Sequence, residues 1–245
     1  HPAAGRQGAR QVFTQAVIQS FTGVFDGNGH MISHLTIKGE RGLGLFGRLD
    51  YWAEVRNLGV VDVNITGLGD YVGGLAAFCV GDVANCYSTG VVSGRQCVGG
   101  LVGENSYGGK VTHCYSTGEV TCDYAWAGGL VGYNSRGTVT QCYSSGAVRG
   151  TDSSIGGLVG FNHEGTVTAS FWDTQTSGQS GVTWSAGTGL ATAQMHDVQT
   201  YLDAGWDFVG EIEDGLHEIW QMPQEGGYPI PAIFNGYVPP QLEGA

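Results

Sequence analysis

The 245-residue chain contains 44 glycines against 6 prolines, and its 10 Lys+Arg against 22 Asp+Glu leave a net charge of −12. Glycine at about 18% is more than twice the roughly 7% of an average protein. Without abundant proline or a three-residue period this excludes collagen, and 41% apolar with 13% charged residues excludes a charge-driven disordered polymer. The negative balance, with no basic cluster, excludes phosphate-dominated nucleic-acid binding, and no apolar run approaches the roughly 18 residues of a membrane span.

In chain order, residues 1–20 contain Val12-Phe13 and Ala16-Val17-Ile18, an extended N-terminal segment with no legible cap. Phe21 to His30 reads as a strand and a turn, Asp26-Gly27-Asn28-Gly29, leading into a second strand through Ile37. That turn lacks the spaced acids and terminal Glu of a calcium loop. Leu43 to Gly67 forms a degenerate coil with two phrases, Leu45-Phe46-Gly47 and Val55-Arg56-Asn57-Leu58, whose regular counterparts recur from residue 73 onward.

From there a repeat dominates. Gly73-Gly74-Leu75, Gly99-Gly100-Leu101, Gly128-Gly129-Leu130 and Gly156-Gly157-Leu158 are followed by Cys86-Tyr87-Ser88, Cys114-Tyr115-Ser116, Cys142-Tyr143-Ser144 and Ser170-Phe171-Trp172. Aligned columns keep apolar residues at Val72, Val98, Ala127, Ile155 and at Val83, Val111, Val139, Val167, while neighbours such as Asn85, His113, Gln141 and Ala169 vary. Fixed apolar columns beside variable ones indicate half-buried strands. A unit of about 28 residues without helical period buries such columns only by stacking, one coil upon the next. The fold class is therefore all-β, a parallel β-helix of about five coils. After it, Thr192 to Gly205 carries Met195, Val198, Tyr201 and Leu202 at helical spacing, which predicts a short helix at about 193–204. With Trp206, Phe208 and Trp220 it would close one end of the core, and Pro239 and Pro240 indicate an extended tail. The expected division is 1–20 extended, 21–180 β-helix, 181–236 C-terminal cap, and 237–245 tail.

The phrase Val98-Gly99-Gly100-Leu101-Val102-Gly103-Glu104-Asn105 and its companions resemble the GLUG repeat of bacterial surface and secreted proteins, including regions of IgA-specific metallopeptidases and large adhesins. The resemblance implies a right-handed parallel β-helix on an exported protein, extracellular or at the cell surface. It does not imply peptidase activity. His163-Glu164 and His217-Glu218 are not followed by a histidine three residues on, as a zinc peptidase motif requires.

Four sets of residues are candidates for a role. Tyr87, Tyr115, Tyr143 and Phe171 recur at one place on each coil; facing outward they would make a glycan-facing aromatic ladder, facing inward they would be core. Parity does not decide, because Val111 and Cys114 are three apart and a corner or bulge must fall between them. Cys86, Cys114 and Cys142, between Leu58 and Ser170 in the same column, read as an inward ladder of small residues. Asn105, Asn134 and Asn162 read as an amide ladder, each side chain bonding its equivalent on the next coil. Cys97 and Cys122, in adjacent inter-coil loops, would form a disulfide, leaving Cys79 unpaired.

No metal or cofactor set is legible, and Glu211, Glu213, Asp214 and Glu218 read as a solvated acidic face. No column presents acids on consecutive coils, so an enzyme is allowed only by analogy with β-helical polysaccharide-degrading proteins. The expected function is a non-catalytic extracellular module, an adhesin, surface-layer or filament subunit, with carbohydrate binding or cleavage as the alternative. Expected partners are other copies of the chain or surface glycans.

Overall fold

The computed structural model describes residues 11–151, 154–180, 186–210 and 219–234. Nearly every strand pairs in parallel with the equivalent strand one repeat away. Val111 lies opposite Val83 and Val139, Tyr115 opposite Tyr87 and Tyr143, and Val102 opposite Ala76 and Val131. One coil runs through Ala76–Cys79 on a short wall, then Asp82–Ala84 and Tyr87–Gly99 on a long one. Gly99-Gly100-Leu101 then returns the chain to Val102–Ser106, the next strand of the short wall. The short wall has five strands, and the long wall is a continuous 17-stranded sheet.

The stack is a β-solenoid of about six turns, one more than the repeat count predicts. The additional coil is built from the lead-in. Ile18 bridges Phe46, Phe21 bridges Leu49, residues 24–33 pair with 54–61, and Thr36–Gly39 pair with Asn64–Gly67. It carries neither the Gly-Gly-Leu nor the Cys-Tyr-Ser phrase, so only its strand register reveals it.

Two local devices turn the coils. Asn57, Asn85, His113, Gln141 and Ala169 share the left-handed conformation, with φ of 45–55°. This is the corner between the Val111 and Cys114 columns, and asparagine favours it because its short amide tolerates positive φ. Side chains also bridge the corner between coils, Asn85 Nδ2 donating to Asn57 Oδ1 at 3.1 Å and His113 Nε2 lying 2.6 Å from Gln141 Oε1. At the paired glycines the requirement is space. A Cβ on Gly100 would collide with the Gly129 carbonyl and the Ser116 hydroxyl of the neighbouring coil, and one on Gly99 with the Val102 carbonyl.

The interior is a continuous aliphatic column that includes Val55, Val83, Val111 and Val139, and Ile65, Val92, Val120 and Val148, all buried. Each such side chain contributes about 1.5–3 kcal/mol of burial. Cys86, Cys114 and Cys142 belong to the same core.

The C-terminal region departs from expectation in three ways. Helix α1 (Thr174–Ser177) begins at Asp173, whose carboxylate accepts from the Gln175 and Thr176 amides, and Thr188–Leu190 adds a strand onto Phe171–Asp173. The single helix expected at 193–204 is instead two, α2 (Thr192–Met195) and α3 (Val198–Leu202). Asp197 breaks it, because its carboxylate accepts from the Gln199 amide at 3.0 Å and starts a new helix. The segment does not merely close an end. It turns back along the outside of the long wall, from Trp206 against Ala169, through Tyr228 and Pro229 against Tyr143, to Phe234 against Tyr87 and Ile233 beside Gly29 of the first coil.

Candidate functional site

The tyrosine ladder lies on the outer face of the long wall, yet it is not open to solvent. Tyr87, Tyr115 and Tyr143 are no more than 1% exposed and Phe171 is 7%. Parallel register stacks the rings face to face, 4.8 Å apart for Tyr87 and Tyr115 and 5.0 Å for Tyr115 and Tyr143. Above them the returning segment lays its own aromatic layer: Tyr228 on Tyr143, Phe234 edge-on to Tyr87, and Tyr201 and Trp206 on Phe171. Tyr143 donates its hydroxyl to the Pro229 carbonyl at 2.8 Å, and burial holds the phenol well above its ordinary range. The ladder is thus a second core between wall and clasp. It faces outward from the coils, yet the C-terminal segment covers it, so these four residues form neither an open glycan-facing strip in this conformation nor part of the solenoid's own core.

The cysteine column and the asparagine column are each hydrogen-bonded from coil to coil. Each thiol of the Cys86, Cys114 and Cys142 column donates to the carbonyl two residues before it, at 3.1–3.2 Å, and the Cys86 and Cys114 amides point at the next sulfur along, at 3.4 Å. Ser170 continues the series, its hydroxyl accepting from the Cys142 amide at 3.1 Å. Asn105 Nδ2 donates to Asn134 Oδ1 at 2.9 Å, and Asn134 Nδ2 to Asn162 Oδ1 at 2.7 Å. A Cβ on Gly137 or Gly165 would run into these amides, so the turns beside the ladder must be glycine.

Cys97 and Cys122 are not joined in a disulfide. A register shift after Cys122 places it opposite Gly94, whereas Cys97 falls opposite Trp126, and the Cys122 thiol donates to the Arg95 and Ala125 carbonyls. Cys79 stands in the asparagine column, opposite Asn105, and burial pushes its thiol up to about 12. The acidic cluster at Glu211, Glu213, Asp214 and Glu218 lies outside the described residues.

A second group of aromatic residues, unread in the sequence, occupies the short wall. Register aligns Arg48, Phe78, Glu104, Tyr133 and Phe161 in one column. A column of the long wall beside it aligns Tyr71, Cys97 and Trp126. Tyr71 packs edge-on against Phe78 with centroids 6.1 Å apart, and Trp126 stacks on Tyr133 at 4.8 Å, with Phe161 5.7 Å from both. All five rings are half-buried rather than covered. On the coil between the two pairs, small and acidic residues stand where the rings would be: Cys97 and Glu104. The Glu104 carboxylate accepts from the Ser106 hydroxyl, and burial raises its pKa, with the nearby Arg48 charge acting the other way. Burial, and next the charge of Glu104, pushes the Cys97 thiol up as well. The signal missed was variability. These residues sit in columns that change from coil to coil, between the columns that repeat.

Comparison with known proteins agrees with the repeat. The family described as the GLUG motif matches residues 94–121 and 127–149, the second and third Gly-Gly-Leu phrases with the strands around them. The chain carries GLUG motifs. Halomucin of Haloquadratum walsbyi is 41% identical over 87 residues, 35% of this chain, but the chain spans only about 1% of halomucin's length. A Bacteroides ovatus crystal structure, named as a candidate immunoglobulin A1 protease, superposes with a TM-score of 0.55 over 85% of this chain and 77% of its own. At 17% identity that likeness shows the fold alone. Among the described residues no helix is long and apolar enough to cross a membrane, and no group of His, Cys, Asp and Glu is placed to hold a metal ion.

Proposed function

We infer that this GLUG-bearing chain is a non-catalytic, extracellular β-solenoid module of a larger surface protein, of the adhesin or surface-layer kind. The observation that carries this reading is how the repeating residues are used. The valine, cysteine, asparagine and glycine columns all serve stacking, and the tyrosine column serves attachment of the C-terminal segment. Partial identity to a small portion of halomucin supports a part rather than a whole.

Within that reading, the adhesin or surface-layer role is favoured over a filament subunit. The last coil is covered in part by the chain itself, since Thr188–Leu190 pairs with Phe171–Asp173, and Gln179 receives the Trp172 indole and donates to Val148. A covered edge opposes end-to-end strand pairing. The test is antibody labelling of intact source cells, combined with external protease treatment. Labelling lost on protease treatment is expected, and labelling seen only after permeabilisation sinks the reading. Sedimentation at rising concentration addresses assembly: a monomer is expected, and growth into fibres would favour the filament alternative.

A further inference from the structure

We propose that the open wall binds a neutral oligosaccharide, lying along the stacking axis with sugar rings on Phe78 and Tyr133 and hydroxyls on the Glu104 carboxyl between them. Such binding depends neither on the cellular location of the protein nor on its role as a module.

The spacing follows from the coils. Phe78, Glu104 and Tyr133 are on three successive strands in one column, so the two rings stand about 10 Å apart at roughly 4.8 Å per strand, the reach of a disaccharide. Arg48 lies over the Phe78 ring, and Phe161 is beyond Tyr133 on the next coil, so the other ring neighbours are on the far sides of the pair. No ring contact spans Phe78 and Tyr133 among the described residues. Faces of this kind, apolar yet rimmed by a polar group, suit the C–H face of a pyranose, while its hydroxyls need acceptors.

Glu104 supplies the acceptor. It is only 8% exposed, and among the described residues its carboxylate has one hydrogen-bond partner, the Ser106 hydroxyl, on Oε1. Oε2 is left to accept from a ligand. Oε2 is not among the buried atoms that lack a partner, so it reaches the surface between the Phe78 and Tyr133 strands, where a ligand hydroxyl can donate to it.

The backbone points the same way. Tyr71 and Trp126 have φ of 64° and 66°, a conformation costly for bulky side chains, and Gly42 in the same column has φ of 66°. Glycine would serve the turn without strain, yet two coils hold large rings there and aim them beside Phe78 and Tyr133. The charges select the class of sugar. Arg48 is engaged by Asp50, and Arg95 by Asp70 at 3.1 Å, so the cations packed on aromatic rings here are already paired. A neutral glycan therefore fits better than an acidic one.

The test is calorimetric titration of the full chain with neutral hexasaccharides (cello-, chito-, malto-, laminari- and manno-hexaose) and with hexagalacturonate. Saturable binding of at least one neutral oligomer is expected, with the acidic one weaker. Tyr133→Ala should weaken binding roughly tenfold or more, as loss of a stacking ring does, and so should Trp126→Gly, which takes away the ring that supports Tyr133. Trp126→Gly removes that ring while suiting the backbone, so the fold is retained, which circular dichroism checks. Glu104→Gln should also weaken binding, and Tyr107→Ala, an exposed ring outside the two columns, should not. Absence of binding to every neutral oligomer, preference for hexagalacturonate, or binding unaffected by Tyr133→Ala, Trp126→Gly and Glu104→Gln would each overturn the proposal.

Discussion

Two walls of this solenoid carry aromatic rings, and they have opposite fates. On the long wall the rings repeat, Tyr87, Tyr115, Tyr143 and Phe171, and the chain's own C-terminal segment seals them. On the short wall and the column beside it, Tyr71, Phe78, Trp126, Tyr133 and Phe161 do not repeat and remain half-exposed. Regular columns thus mark contacts the chain makes with itself. Stacking one coil on another imposes the same demand at every level, whereas recognition of something else needs a local break in the pattern, here Cys97 and Glu104 between two ring pairs.

The largest test of this contrast compares tryptophans. Trp206 is fully buried, packs at a tilt against Trp220 with centroids 4.5 Å apart, and donates its indole N–H to the Ala169 carbonyl at 2.9 Å. Trp206→Ala is expected to cost about 3–5 kcal/mol in urea unfolding, the usual effect of emptying an aromatic core site. Trp126→Ala, on the open wall, should cost less than about 1 kcal/mol. Equal costs would mean that the clasp is not part of the folded core.

Beneath the open wall, the asparagine ladder provides a second comparison. Asn134 is fully buried and bonded on both sides, while Asn162 is half-buried at the end of the series. Asn134→Ala should cost about 1–3 kcal/mol because it strands the Asn105 amide and Asn162 Oδ1. Asn162→Ala should cost less, and the reverse order in thermal melts would deny that the ladder acts as a chain.

How far the sequence reaches depends on the same distinction. The coils, the inward cysteines and the asparagine series are legible because each repeats in a parallel register that pairs like with like. The first coil is legible only in part: its strands read from Phe21 to Ile37, but Ile18 stands where Phe46 and Ala76 stand later and no phrase marks the whole as a coil. The clasp is not legible, because helix periodicity over Thr192–Gly205 gives a face but neither the break at Asp197 nor the direction in which the chain next travels. The open wall is hidden for a different reason. Its two columns come from separate strands, and only the fold shows that Tyr71 meets Phe78 and Trp126 meets Tyr133.

Hydroxyl deletion sharpens the contrast at smaller scale. Tyr143→Phe removes a buried donor and leaves the Pro229 carbonyl unpaired, at about 1 kcal/mol. Tyr133→Phe, half-exposed with no hydrogen bond of its hydroxyl among the described residues, should leave the melting temperature unchanged. A comparable loss in both would show that the open wall is also sealed in solution.

The smallest effect expected is also the most diagnostic, because its sign reverses the usual direction of mutation. Burial raises the Glu104 pKa above that of the unfolded chain, so the folded state prefers the neutral acid. Its contribution to stability is fully present below the unfolded pKa, near 4.5, and is lost as pH rises through the folded value. At neutral pH the carboxylate is therefore held at a cost, and Glu104→Gln, which keeps the shape without the charge, should raise the melting temperature at pH 7. At pH 4 the two proteins should melt together, both side chains being neutral. A Glu104→Gln variant that is less stable at pH 7 would mean that Ser106 and Arg48 already satisfy the carboxylate. A gain at pH 7 accompanied by weaker sugar binding is the pattern of a residue retained against stability for what it contacts.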